Sequence, residues 1–418
     1  MSTITRSVMS TSQRKTILIA NAFIHFDNAI YGYLVPIIAP VFFPDKHIVI
    51  QLVLGYGLFM TSFLAKPFGI LFFSRIAEDK QESVALRYTL VGVGMGLIAI
   101  GLLPSNKEAT WWSVILLMLC RICIEACSAG EHHIARLYLL KDASTQQAKG
   151  ASIAYQVSTM VGILLAGGVG TIFALIHDSA QYWHLPFVIA GVLTLLNLII
   201  FRLYVTDLNV QSTAVYKIDT KTSYVLFLKF WKERIAIIRI AIVTGFSYVT
   251  YTVPFLFMNS FVPLVTGISY ASMMQHVTIF MVLDVVLLIW MGSICRKYDH
   301  NNLMAVSSLF IGLSIMPLFY WLRGASMLYV MFVRCWLIFF GVIFSCFITL
   351  WAKEQVSKTT PYITIGFATV LGSTLLGKSA TSICLYLFHW SNNPIAPACY
   401  IAILAIIASM IMADSASE

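Results

Sequence analysis

Arg121, Glu125, Ser128, His132 and Arg136 recur at intervals of four, three, four and four within one apolar stretch. At 100° per residue this spacing puts all five on one face of a helix. A guanidinium can grip a carboxylate through two parallel hydrogen bonds, and imidazole exchanges a proton near neutral pH. An earlier stretch carries a second set: Asn21, His25, Asn28 and Gly32 share a face, with Asp27 and Tyr31 beside it. A carboxyl group in a low dielectric can also trade a proton near neutral pH. The chemistry on offer is therefore anion binding and proton exchange. Each set keeps two readings. The first could line a water-accessible cavity, or Arg121 and Glu125 could simply neutralise each other one turn apart. Asp27 could carry a proton, or could pair with a cation such as Arg121 or Lys378.

The elements that must position these groups follow from composition. The chain has 418 residues, 59% hydrophobic and 11% charged, with a mean hydropathy of +0.85. A soluble domain is about 45–50% apolar and about 25% charged, so this is an all-α protein of many bilayer crossings. Apolar runs long enough to cross a bilayer fall at 17–43, 52–74, 86–104, 111–136, 151–176 and 183–204, then at 236–264, 272–294, 303–321, 327–350, 362–388 and 394–412. These twelve spans make two bundles of six, 17–204 and 236–412. A segment 1–16 precedes them, a polar linker 205–235 joins them, and a tail 413–418 follows.

Charge sets the orientation. With the N-terminus in the cytoplasm, Arg6, Arg14, Lys15, Arg75, Lys80, Arg87, Arg136, Lys141, Lys149 and Arg202 lie inside. So do Lys217, Lys221, Lys229, Lys232, Arg234 and Arg239 around the linker, and Arg296, Lys297, Lys353 and Lys358 beyond it. Outside lie Lys46, Lys107 and Arg323. Basic residues concentrated on one side are the expected mark of cytoplasmic loops. The net charge of +9 is thus an orientation signal, and no nucleic-acid partner is expected. Both termini are placed in the cytoplasm.

Ionisable residues inside the spans are Lys66, Arg121, Arg334 and Lys378, and the acids Asp27, Glu125, Glu131 and Asp284. Each costs at least about 2.5–3.5 kcal/mol facing lipid at mid-depth, so each should face a cavity or a partner. Glu125, Asp284 and Lys66 are assigned as charge partners. Cys120 and Cys123 form a C-x-x-C followed by His132 and His133, but a metal site needs a closed ligand set. No metal, no cofactor and no enzymatic motif is expected.

Several of these stretches have a common likeness. "NAFIHFDNAIYGYLVPIIAPVFFP" resembles the first-span pattern of the metabolite:proton symporter branch of the major facilitator superfamily, matching at Asn21, Asp27, Tyr31, Gly32, Pro36 and the closing "FFP". "FLAKPFG" is similar to that branch's F-x-x-R-P-x-G, with Lys66 at the arginine. "RICIEACSAGE" is similar to R-x-x-Q-G-x-S-x-G-G-E, keeping Arg121, Gly130 and Glu131. "AKGASIAYQ" and "YWHLPFVIAG" resemble two further motifs of the first half. The second half matches mostly in topology.

The resemblance implies a monomeric secondary transporter, by analogy a protein of a bacterial inner membrane, in which two six-helix halves move against each other around a substrate near mid-membrane. Asp27, His25 and Glu131 are then the candidates for proton coupling. Arg121, Lys378, Arg334, Tyr31 and Asn28 are the candidates for substrate contact, and Glu78 belongs to the gating loop. Four bases against four acids favour a small organic monoanion or a zwitterion, a proline/betaine-like osmolyte or metabolite.

The chain departs from the pattern in several places. Ile24 and His25 replace a glutamate and a tryptophan; Glu78 and Glu82 alter the loop after the second span; Arg296 stands where an acid is expected. Lys378 lies in "LLGKSAT", where the branch is uncharged. The expected alternative is an uncoupled facilitator or a transporter-like sensor.

Overall fold

A long apolar segment in a bilayer has no water to satisfy its peptide groups, so its backbone must bond to itself as helix. The computed structural model describes residues 11–80, 82–104, 111–140, 145–204, 233–294, 299–356 and 361–417, and every regular element among them is helical. Eleven of the described helices are long and apolar enough to cross a membrane. A shorter apolar helix, Leu185–Ile200, falls where the sixth span is expected. The protein is thus an all-helical, multi-pass membrane protein.

The described residues fall into two compact units. The first draws on Met1–Leu34, Leu64–Gly170 and His177–Lys217, and the second on Val35–Phe63, Thr171–Ile176 and Ile218–Glu418. Helix α1, Thr11–Phe42, contributes to both, as does the stretch made of α2 (Ile48–Gly57), a tight 3₁₀ turn at Leu58–Thr61 and α3 (Ser62–Asp79).

In the first unit, α1 and α3 are joined by α4 (Glu82–Gly101), α5 (Trp111–Leu140), α6 (Thr145–Leu175) and α7 (Leu185–Tyr204). Helices in lipid associate through close backbone packing at small residues. Gly162 of α6 shows this: a Cβ added there would sit 2.0 Å from the carbonyl oxygen of Ala22 in α1. Beside that contact the Asn21 amide donates to Ser158 Oγ at 2.7 Å and to Thr159 Oγ1 at 3.0 Å, so α1 and α6 are also tied by polar groups.

In the second unit, α8 (Arg234–Thr252) passes through a wider π-turn at Val253–Phe257 into α9 (Met258–Thr266). Next come α10 (Tyr270–Ile294), α11 (His300–Tyr320), α12 (Met327–Ser345) and the short α13 (Ile348–Glu354). Then α14 (Pro361–Gly372) widens at Ser373–Lys378 before α15 (Ala380–Ser391), and α16 (Ile395–Ser417) ends the bundle. Gly372 repeats the close approach seen at Gly162, with its would-be Cβ 1.9 Å from the carbonyl oxygen of Ala241. A π-turn leaves carbonyls without their usual partners. Here neighbours supply them: Tyr400 donates its hydroxyl to the Leu376 carbonyl at 2.8 Å, and Thr252 donates to that of Gly377 at 3.2 Å.

Candidate functional site

The first unit assembles a chain of polar side chains from three helices. Asp27, on α1, has no measurable exposure, and its Oδ2 accepts a hydrogen bond from Thr194 Oγ1 of α7 at 2.9 Å. Its Oδ1 is buried with no hydrogen-bond partner, and no ion pair reaches this carboxyl among the described residues. One turn along α7, Asn197 is buried with both amide atoms unmatched among the described residues. One turn along α1, Tyr31 presents its ring to α5, where the Arg121 guanidinium lies 4.4 Å from the ring centre. Arg121 in turn donates to Glu125 Oε1 at 2.9 Å, with both groups buried. Phe187 of α7 lies beside Tyr31, the ring centres 6.5 Å apart and the planes tilted by 56°.

Each placement has a local cause. Asp27 and Tyr31 are four residues apart on a continuous helix, so they share a face. Arg121 and Glu125 do the same on α5, and the i, i+4 pair closes within one helix. A guanidinium above an aromatic ring is held by the ring's quadrupole, about 2 kcal/mol or more when water is excluded. The pair and the stack together hold Arg121 in one position.

Other residues of the expected set are placed nearby or apart. Asn28 spends its amide N–H on the Ile24 carbonyl of its own helix, 3.1 Å away, and His25 is half-buried. Ser128 and Glu131 are buried on α5, and Lys66 is half-buried on α3 just before Pro67. The side chains of Glu78, His132 and Arg136 lie outside the described residues.

The second unit holds the remaining two cations. Arg334, buried on α12, donates to the side-chain oxygen of Asn259 on α9, and its guanidinium lies 5.5 Å from the ring centre of Phe280 on α10. Asn259 itself donates to the Phe255 carbonyl at 2.6 Å and faces the Met274 sulfur at 3.4 Å. Asp284 lies half-buried one turn beyond Phe280. Lys378 ends the widened turn after α14; its ammonium donates to Ser62 Oγ at 3.1 Å and lies 5.6 Å from the ring centre of Phe59. The residues that sequence reasoning missed are Thr194, Asn197, Asn259 and Ser62. The first two had a signal, being the only strongly polar groups in "VLTLLNLII" and three residues apart.

The chain as a whole is similar to known proteins. The family model of the Major Facilitator Superfamily matches residues 17–372, and the chain belongs to that superfamily. It is 23% identical over 409 residues to the proline/betaine transporter of Escherichia coli (strain K12), spanning 93% of this chain and 80% of the relative. It is 21% identical over 414 residues to a putative proline/betaine transporter of Staphylococcus aureus (strain COL), spanning 96% and 87%. Among solved structures, a D-xylose-proton symporter superposes with a TM-score of 0.74 at 14% identity, covering 96% of both chains. A POT family transporter does so with 0.72 at 14% identity, covering 98% of both. The protein is therefore a membrane transporter of this superfamily, acting on a small molecule, and the likeness expected from its first-span and fourth-span motifs holds.

Proposed function

We propose that this protein is a proton-coupled symporter of a small organic monoanion or zwitterion, of the proline or betaine kind, working by alternating access in a bacterial inner membrane. The observation that carries the reading is Asp27. It is fully buried, touches one hydroxyl and has no cation partner among the described residues. Removing a carboxylate charge from water without pairing costs several kcal/mol, and carrying a proton relieves that cost. This favours a group that takes up and gives back a proton over one fixed in a salt bridge. Arg121, the cation proposed as its alternative partner, is engaged with Glu125 and Tyr31 instead.

The substrate side of the reading rests on charge. Glu125 offsets Arg121, so the net charge available to a ligand in that region is small, which suits a monoanion or zwitterion better than a polyanion. Arg334 and Lys378 are proposed as the second-half contacts, with Tyr31 and Asn28 from the first, and His25 and Glu131 assisting the proton transfer. Lys378 gives one of the three N–H donors of its ammonium to Ser62, a contact that does not by itself bar it from a substrate.

Twelve spans in two bundles, 17–204 and 236–412, with both termini in the cytoplasm and a monomeric protein, complete the proposal. The two bundles repeat one packing scheme, which supports it. In each, a glycine of the fifth helix meets an alanine of the first, Gly162 on Ala22 and Gly372 on Ala241. In each, a buried arginine of the fourth helix reaches the first, Arg121 to Tyr31 and Arg334 to Asn259. Glu78 falls within the last turn of α3 and not in the loop expected after the second span, and its proposed gating role moves to that helix end.

The test is uptake of labelled proline, betaine and a panel of monocarboxylates into proteoliposomes, with and without an imposed pH gradient. Gradient-driven accumulation is expected in the parent protein. In Asp27→Asn it should vanish while substrate exchange persists, since the amide keeps the hydrogen bond but cannot release a proton. Equal accumulation by the Asn variant would overturn the coupling role, and gradient-independent equilibration by the parent would leave a facilitator.

A further inference from the structure

Within the second unit, α2 lies antiparallel along α15, and polar contacts mark the seam from end to end. At the buried end Lys378 donates to Ser62. In the middle Ser382 donates to the Val53 carbonyl at 2.7 Å. At the far end, where α2 begins and α15 finishes, the imidazoles of His47 and His389 face each other with ring centres 5.3 Å apart and planes 35° from parallel. Both histidines are exposed.

The distance between those ring centres is compatible with shared ligation of one metal ion once the exposed side chains turn their nitrogens to a common point. With a zinc–nitrogen bond of about 2.0 Å and the ring centre roughly 1.1 Å behind the ligating atom, two imidazoles at a tetrahedral angle have centres about 5 Å apart. His47 uses its Nδ1 to accept the Val49 N–H at 3.4 Å, capping α2. That leaves Nε2 as its ligating nitrogen, while exposure leaves room for water in the other coordination positions. Imidazole nitrogens select zinc, nickel and copper over magnesium and calcium, which prefer oxygen donors.

We propose that His47 and His389 form a two-imidazole site for a divalent transition-metal ion, and that an ion bound there holds the seam closed. The second part rests on the alternating-access reading, in which the second and eleventh spans belong to opposite halves and must separate during transport. An ion joined to both imidazoles adds a third rung across the seam, at the end where both histidines are exposed. The site gives external metal a direct means of arresting the cycle.

The experiment uses the purified full chain and Ni²⁺, with Mg²⁺ as the control cation. Calorimetry is expected to find one Ni²⁺ per chain, at least tenfold weaker in His47→Asn and in His389→Ala, and no binding of Mg²⁺. Asparagine at 47 keeps a side-chain cap for α2, so the loss cannot be read as a fraying helix. Hydrogen–deuterium exchange of 48–57 and 380–391 should slow several-fold on adding Ni²⁺ to the parent protein and stay unchanged in both variants. Undiminished Ni²⁺ binding in either variant overturns the site. Binding without slower exchange overturns the closing role. Neither readout needs transport activity, so a protein that fails to accumulate any solute would refute the symport reading and leave this one standing.

Discussion

Replacing Arg121 and Glu125 singly and together separates a charge pair from two independent sites. At 2.9 Å and an effective dielectric of about 20, their direct attraction is about 6 kcal/mol. Desolvation offsets much of it, so the net value of a buried pair is small, yet removing one partner costs about 3–5 kcal/mol because the other charge is stranded. Arg121→Ala forfeits the stack on Tyr31 as well, worth about 2 kcal/mol, and should be the worse of the two single changes. Glu125→Ala should fall near the lower end of that range. The double variant strands no charge and should lose less than the sum of the singles by about 3 kcal/mol. The assay is reversible unfolding in mixed micelles, read on all four proteins, with the interaction term taken from the cycle. Losses that add to within about 0.5 kcal/mol would refute the reasoning, since groups that strand each other cannot behave independently.

Other outcomes follow from single contacts. Thr194→Val keeps shape but removes the only donor to Asp27 among the described residues, and is expected to cost about 1–3 kcal/mol in the same unfolding assay; no loss would mean the hydroxyl is dispensable. Gly162→Ala forces a methyl group against the Ala22 backbone, whereas Gly168 has open space around it. The first should lower stability by about 1–3 kcal/mol or more and Gly168→Ala should not, and equal effects would refute the close-packing account of α1 and α6. Arg334→Lys keeps the charge but loses the planar fork that meets Asn259 and Phe280. The apparent KM for uptake should rise about tenfold, and an unchanged KM would remove Arg334 from the substrate set. Lys378→Met should raise KM several-fold with membrane insertion intact; normal kinetics would confine Lys378 to the seam.

What could be read directly from the chain is what depends on local periodicity. Apolar run length fixes where helices form because a bilayer forbids an unbonded backbone, and the fixed turn of a helix determines which side chains share a face. The Arg121–Glu125 pair belongs here, as does the placement of Asp27 and Tyr31 on neighbouring turns; the superfamily was legible in another way, through the likeness of the first-span and fourth-span motifs. The expected twelve spans come from run length and the expected orientation from the asymmetry of basic residues; among the described residues eleven helices are long and apolar enough to cross a membrane. Contacts between helices were decided only by the fold. Thr194 reaches Asp27 across 167 residues, Arg334 reaches Asn259 across 75, and Lys378 reaches Ser62 across 316. These depend on the rotation and tilt of each helix against its neighbours, which are set by packing at sites such as Gly162 and Gly372 and leave no repeat in the sequence. The widened turn ending at Lys378 and the pairing of His47 with His389 are of the same kind. Each exists because two distant segments meet, and no periodicity in either segment specifies that meeting.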